Sequence, residues 1–257
     1  MKYGRVLTSK FISPLKKGDF FMSVSNNGAY KIKKLCMVAL FCALAYATMF
    51  VLRIKVSFLT FDAKDAIITL AGLLFGPIAS LVISLTVALI EMISVSDTGF
   101  WGFLMNFLSS AAFSCTAALI YKYKRSIKGA IIGLTASVFV TTAVMMLLNL
   151  IITPIYTGQP SAVIASMIPT LLFPFNLTKS VLNMALVLIL YKPVSRAMKA
   201  AKVIRGAELD VDATRVEVDK KRSKVTSLVI LLVGALLIAI SVTVFIVVLG
   251  GYFSFVR

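Results

Sequence analysis

Phe58-Leu-Thr-Phe-Asp-Ala-Lys-Asp65, continuing through Ile67 to Gly72-Leu-Leu-Phe-Gly76-Pro77, sets the organisation of this chain. Three charged residues, Asp62, Lys64 and Asp65, stand at the mouth of an apolar helix whose far end closes in a Gly-Pro turn. Charge beside so apolar a run needs water or partners, because an ionised group facing hydrocarbon costs several kcal/mol. The remaining segments read as arranged to use that mouth.

The 257 residues are 60% hydrophobic and only 14% charged, with a mean hydropathy of +0.98. Apolar runs of about 18 or more residues mark transmembrane helices, since a lipid core of about 30 Å must be crossed with every backbone polar group satisfied internally. The chain is therefore read as an all-α polytopic membrane protein. Its net charge of +17 would suggest nucleic acid in a soluble protein. Here the basic residues gather at helix ends, as the positive-inside rule expects, so no nucleic-acid partner is expected. The absence of His excludes a His-ligated metal, a His-based triad and an H-E-x-x-H peptidase. Cys36, Cys42 and Cys115 lie in or beside apolar runs without C-x-x-C spacing and read as packing residues.

Residues 1–30 are polar and basic (Lys2, Arg5, Lys10, Lys16, Lys17), lack the apolar core of a signal peptide, and read as a cytoplasmic tail. A first span follows Lys31-Ile-Lys-Lys34 and runs to about Leu52, with Ala39, Ala43 and Ala47 on one small-residue stripe. Such a stripe lets a second helix approach closely, either within the bundle or from a separate membrane subunit. The opening stretch supplies a short second span, and Gly76-Pro77 turns it into a third that ends near Ile93. A fourth span follows Asp97-Thr-Gly-Phe-Trp101 and closes at Tyr121-Lys-Tyr-Lys-Arg125; a fifth runs from Gly129 to about Thr153. Pro154 to Pro169 reads as an uncharged loop, the sixth span ends at Tyr191-Lys192, and 225–249 forms a seventh.

Alternating crossings place the N-terminal tail, the 122–128 loop and the charged 192–224 segment on one side, the cytoplasm, by their Lys and Arg content. The 53–62 segment and the 154–168 loop then face outward, as does the C-terminus. The resulting division is a tail (1–30), a six-helix substrate-binding membrane domain (31–198), a cytoplasmic linker (199–224), and an additional transmembrane helix with a short outer tail (225–257).

At about 1.5 Å of rise per residue, Glu91, Asn106 and Asn149 fall in the outer part of their spans. Asn176, Lys179 and Asn183 share one face of the sixth span. Groups of this kind must face a cavity or each other. An internal salt bridge of Glu91 or Asp62 with Lys179 would be a purely structural solution. These asparagines and an aromatic-rich mouth (Phe58, Phe61, Phe100, Trp101, Phe103, Tyr156, Phe173, Phe175) instead describe a pocket for a flat, polar-edged small molecule. Taken singly, such aromatics serve as lipid-interface anchors. The chain carries no G-x-x-x-x-G-K-[ST] loop, so energy for uphill transport would have to come from a partner.

Four segments, Phe58 to Asp65, Gly72 to Pro77, Gly99-Phe-Trp-Gly-Phe-Leu-Met-Asn106 and Pro174-Phe-Asn-Leu-Thr-Lys179, resemble the riboflavin-specific S component of energy-coupling-factor (ECF) vitamin transporters. The resemblance covers about residues 31 to 198. It implies a six-helix bundle that binds riboflavin from outside the bacterial cell membrane and joins a module of one transmembrane coupling protein and two ATPase subunits. It also implies that Ala39, Ala43 and Ala47 meet the coupling protein, and that the S component topples in the membrane to release its vitamin. By position, Leu59, Thr60, Phe61 and Asp62 would line the isoalloxazine ring. Asn106, Asn149, Asn176 and Lys179 would bond its carbonyls or the ribityl hydroxyls, with Glu91 and Tyr156 completing the set. No cofactor is implied; riboflavin is the cargo, and acceptance of flavin mononucleotide is left open. The seventh span is additional to the family's six. An S component for another vitamin is the alternative, and an intramembrane enzyme built on Glu91, Asp62 or Lys179 has neither a His nor a nucleophile and base pair to support it.

Overall fold

The computed structural model describes residues 17–51, 53–95, 98–200, 220–250 and 252–253. Thus the first 16 residues of the basic tail, Asp97 before the fourth span, and 201–219 of the charged linker lie outside the described residues. The order is α1 (Lys17–Val51), β1 (Arg53–Val56), β2 (Leu59–Asp62), α2 (Lys64–Phe75), α3 (Pro77–Ser94), α4 (Gly99–Tyr123), α5 (Ile127–Thr157), α6 (Ser161–Ser166), α7 (Phe173–Ala200), α8 (Lys220–Thr243) and β3 (Tyr252–Phe253). Five-residue π-helical turns precede α7 (Ile168–Leu172) and follow α8 (Val244–Val248).

Six described segments are long and apolar enough to cross a membrane: Lys31–Val51, Pro77–Ser94, Gly99–Tyr123, Ile127–Thr157, Ile168–Met198 and Leu228–Val248. The second expected span is not among them. With 12 residues, α2 is only about 18 Å long against a core of about 30 Å. It completes the six-helix bundle as a half-length inner helix, with ten of its residues buried and α1, α3, α4 and α7 packed around it. A lipid-facing helix could not carry Lys64 and Asp65 at its first turn; an enclosed one can.

Gly72 and Gly76 make that enclosure possible. A Cβ on Gly72 would stand 2.9 Å from the Ser80 Cβ and 3.2 Å from that of Ala118, so α2 meets α3 and α4 at a distance only glycine allows. At Gly76 the backbone turns with φ +97°, a conformation nearly free of cost for glycine alone. Pro77 then opens α3 at a position where its missing N–H is no loss.

Three expectations about connections change. The 53–62 segment is a β-hairpin, with β1 and β2 antiparallel and Arg53 opposite Asp62, Ile54 opposite Phe61, Lys55 opposite Thr60 and Val56 opposite Leu59. A third strand, β3, joins the far edge of β1 to give the order β2-β1-β3. The 154–169 stretch is mostly helical: α5 continues through Pro154 to Thr157, and α6 and a π-turn follow. Likewise α7 runs beyond Lys192 to Ala200, which shortens the linker from its N-terminal side. The tail too is partly helical, since α1 begins at Lys17.

Candidate substrate cavity

The site is assembled where β2 hands over to α2. Asp62, the last residue of β2, accepts a hydrogen bond at Oδ1 from the Lys64 backbone N–H at 3.2 Å, which ties the hairpin to the start of the helix. The Lys64 side chain, only 1% exposed, extends its Nζ to within 3.3 Å of Asp62 Oδ2 and 2.5 Å of Glu91 Oε2 on α3. Asp65, one residue on, faces the other way: its Oδ1 accepts from the Ser110 hydroxyl on α4, and its Oδ2 lies 3.8 Å from Lys179 Nζ on α7. Three carboxylates and two ammonium groups thus join the hairpin, α2, α3, α4 and α7. Burial alone would raise the Asp62 carboxyl, but Lys64 and Lys179 beside it hold it below the ordinary carboxylate range.

The partners differ from the expected ones. Lys179 reaches Asp65, and Lys64 takes both Asp62 and Glu91. Lys64 and Asp65 were legible as charges at the mouth, but residue spacing gives no reason to prefer Lys64 over Lys179 as the Glu91 partner. That choice is made by the tertiary approach of α3 to α2.

Above this cluster lies a cavity of about 300 Å³, the lower end of the range for small-molecule sites. Eight of the ten residues expected at a site line it: Leu59, Thr60, Asp62, Glu91, Asn106, Tyr156, Asn176 and Lys179. Phe58, Met105, Met145 and Phe175 supply apolar wall, and Lys55, Ser57 and Ser109 add polar groups that the sequence did not single out. The amides are differently engaged. Asn176 donates through Nδ2 to the Leu172 carbonyl at 2.8 Å, leaving its side-chain oxygen as an acceptor. Asn106 makes no hydrogen bond among the described residues and is half-buried against the cavity.

Two expected residues stand elsewhere. Asn149 is fully buried and satisfied along its own helix, donating to the Met145 carbonyl at 2.7 Å and accepting from the Thr153 hydroxyl at 2.9 Å. Phe61 packs behind the hairpin with Ile54, Val56, Phe175, Leu182 and Phe245. Its register partner is Ile54, and the period of two along a strand puts both on the apolar face. Of the other aromatics, Phe100, Trp101 and Phe103 lie edge to face or tilted against one another on α4, and they do not line the cavity.

A second cavity of about 530 Å³ opens at the opposite end, between α1, the Gly76-Pro77 turn and the end of α4. It is the larger of the two, but its lining of Lys31, Lys34, Lys122, Arg125 and apolar residues includes no amide or carboxylate. Polar groups that could orient a small molecule from several sides are found at the hairpin end. Among the described residues no group of His, Cys, Asp and Glu could hold a metal. Ala39, Ala43 and Ala47 are all exposed along the outside of α1, facing away from the bundle core.

A multi-span helical bundle with a lined cavity at one end, walled by amides, an ion cluster and aromatic side chains, defines a membrane protein that binds a small molecule. The model of the family described as "ECF transporter, substrate-specific component" matches residues 33–195, well over half of the chain, and the chain belongs to that family. It is a multi-pass membrane component of a bacterial transporter, not an enzyme. A curated relative, the riboflavin transporter RibU of Staphylococcus aureus, is 29% identical over 177 residues, covering 65% of this chain and 93% of the relative. A solved structure of the S component of a bacterial ECF transporter superposes with a TM-score of 0.57 at 29% identity, covering 66% of this chain and 99% of that one.

Proposed function

We propose that this protein captures riboflavin in the hairpin-end cavity and delivers it to an ECF energising module. The observation that carries the reading is the lining itself. Apolar Phe58, Leu59, Met105 and Phe175 offer a slot for a tricyclic ring, while Asn106, Asn176 and Lys179 offer partners for its carbonyl edge and ribityl hydroxyls. The family match over residues 33–195 takes in every segment that builds this lining, and a relative of this chain is named as a riboflavin transporter. Buried polar groups left unmet by an analogue that lacks the matching atoms would reject it.

The module is one transmembrane coupling protein with two ATPase subunits. The exposed Ala39, Ala43 and Ala47 face of α1 receives the coupling protein, because three small side chains four residues apart let a partner helix approach closely. Lys and Arg at the Gly76-Pro77 end support a cytoplasmic position for that end and an external one for the hairpin. With seven segments in sequence, the N-terminus is then cytoplasmic and the C-terminus external.

The test is a titration of flavin-free protein in mild detergent, following quenching of riboflavin fluorescence. Saturable quenching in the nanomolar range supports the reading. No quenching at micromolar ligand by a folded, monodisperse sample overturns it. Competition with flavin mononucleotide and with unrelated vitamins then sets the breadth of the pocket.

A further inference from the structure

The matched family region ends at residue 195, and α8 lies wholly beyond it. This helix does not stand apart in lipid. It packs along α7 and comes close to it at Gly234, where an added Cβ would fall 2.7 Å from Ile189 Cγ1 and 3.5 Å from the Ala185 carbonyl oxygen. The outward face (Leu228, Leu232, Leu236, Ile240) is exposed, while Gly234 and Ser241 are buried. At its end the helix widens into the π-turn Val244–Val248. There Val247 and Val248 stay exposed and Phe245 is 0% exposed.

Phe245 enters the molecule at a particular place. Its ring lies 5.4 Å from that of Phe61 on β2 and 5.3 Å from that of Phe175 at the start of α7, within the range of favourable aromatic pairs. Phe175 lines the substrate cavity, and Phe61 sits between Thr60 and Asp62, which also line it. Two residues beyond Gly250 the chain returns as β3, pairing Tyr252 with Lys55 and Phe253 with Ile54. Lys55 is itself a lining residue. One extra element therefore grips the hairpin twice, through a ring behind β2 and through backbone hydrogen bonds along the free edge of β1.

We propose that α8 and β3 form a brace that holds the β1–β2 hairpin in its cavity-closing position, with Phe245 as a positioning residue that slows substrate escape without touching substrate. An isolated two-stranded hairpin is marginal in water, and a third strand with a packed apolar face is what gives such a ribbon stability of its own. A hairpin pinned in this way opens less often, and opening is the step that releases a bound molecule. Because α8 adds to a bundle already complete without it, its release from the hairpin alters gating while Asn106, Asn176 and Lys179 stay held by the bundle helices.

This inference rests on the riboflavin reading for its kinetic readout and has a second readout that does not. Full-length Phe245→Ala, Phe245→Leu and wild type are compared in nanodiscs by stopped-flow flavin fluorescence and by hydrogen exchange of the 54–61 amides. Phe245→Ala is expected to speed riboflavin dissociation about tenfold, with association changed less than about twofold, because interface changes act mainly on the off-rate. Faster exchange across 54–61 should accompany it, and Phe245→Leu should restore most of both. Wild-type dissociation together with wild-type hairpin exchange in Phe245→Ala overturns the brace. If wild type takes up no riboflavin, the flavin reading fails, and hairpin exchange alone decides the brace.

Discussion

Asn106 and Asn176 look alike in sequence and have different tasks from Asn149. Asn106 is without a hydrogen-bond partner among the described residues, and Asn176 has one oxygen to offer; both face the cavity. Replacing either with Ala should weaken riboflavin binding about tenfold or more, the cost of about one to three kcal/mol for a lost buried polar partner; the melting temperature should hardly move for Asn106→Ala and fall modestly for Asn176→Ala, which also loses its bond to Leu172. Asn149→Ala should do the reverse, because its amide serves Met145 and Thr153 on its own helix. Fluorescence titration beside thermal unfolding separates the two outcomes. Lys64 differs again. Its removal strands Asp62 and Glu91 as buried carboxylates, and uncompensated buried charges cost about 3–5 kcal/mol. Lys64→Met should therefore unfold in detergent at markedly lower temperature, and adding Glu91→Gln should recover part of the loss.

At the scale of elements, α2 and α1 carry opposite designs. Lodged among four neighbours, α2 depends on Gly72 for its contact with Ser80 and Ala118. Gly72→Val should force α3 and α4 apart and lower expression and thermal stability, while Leu147→Val, at an outward position of α5 that lines neither cavity, should not. The stripe on α1 faces outward and holds nothing inside the bundle. Ala43→Phe should thus leave riboflavin affinity intact and abolish uptake by cells that supply the energising module. Radiolabelled uptake alongside binding to purified protein distinguishes a docking face from a packing face, since a packing face would lose both.

Across the whole molecule, the sequence announces the spans because lipid demands long apolar runs, and it announces the mouth because charge next to such runs is rare. The Gly76-Pro77 turn follows from its dipeptide, and the crowding of Asn106, Asn176 and Lys179 at one end follows from alternating crossings together with the rise per residue. What could not be read is tertiary. The 53–62 segment has too few residues and too weak an alternation to declare a hairpin. β3 has only two residues, Tyr252 and Phe253, whose pairing exists because α8 returns the chain to β1. Phe61 was placed in the lining because it sits among lining residues, and strand alternation turned it to the far side. The second span was legible as short, but its enclosure by four helices was not. The proposed external C-terminus is checked by a single cysteine at residue 256 in a Cys-free background, expected to react with a membrane-impermeant maleimide in intact cells.

The short length of α2 also has an electrical consequence. The polar cavity reaches down to Asp62, just before α2 begins, and the cation-rimmed cavity reaches the Gly-Pro end of α2, so the insulating layer at the centre of the protein is nearer to about 18 Å than to the about 30 Å of plain bilayer. A membrane voltage falling over that distance makes a steeper field through α2 than through the surrounding lipid. An uncharged passenger held above Asp62 and Lys179 has entered almost none of it. Its capture should be indifferent to membrane voltage, with vesicles clamped at opposite polarities returning the same Kd.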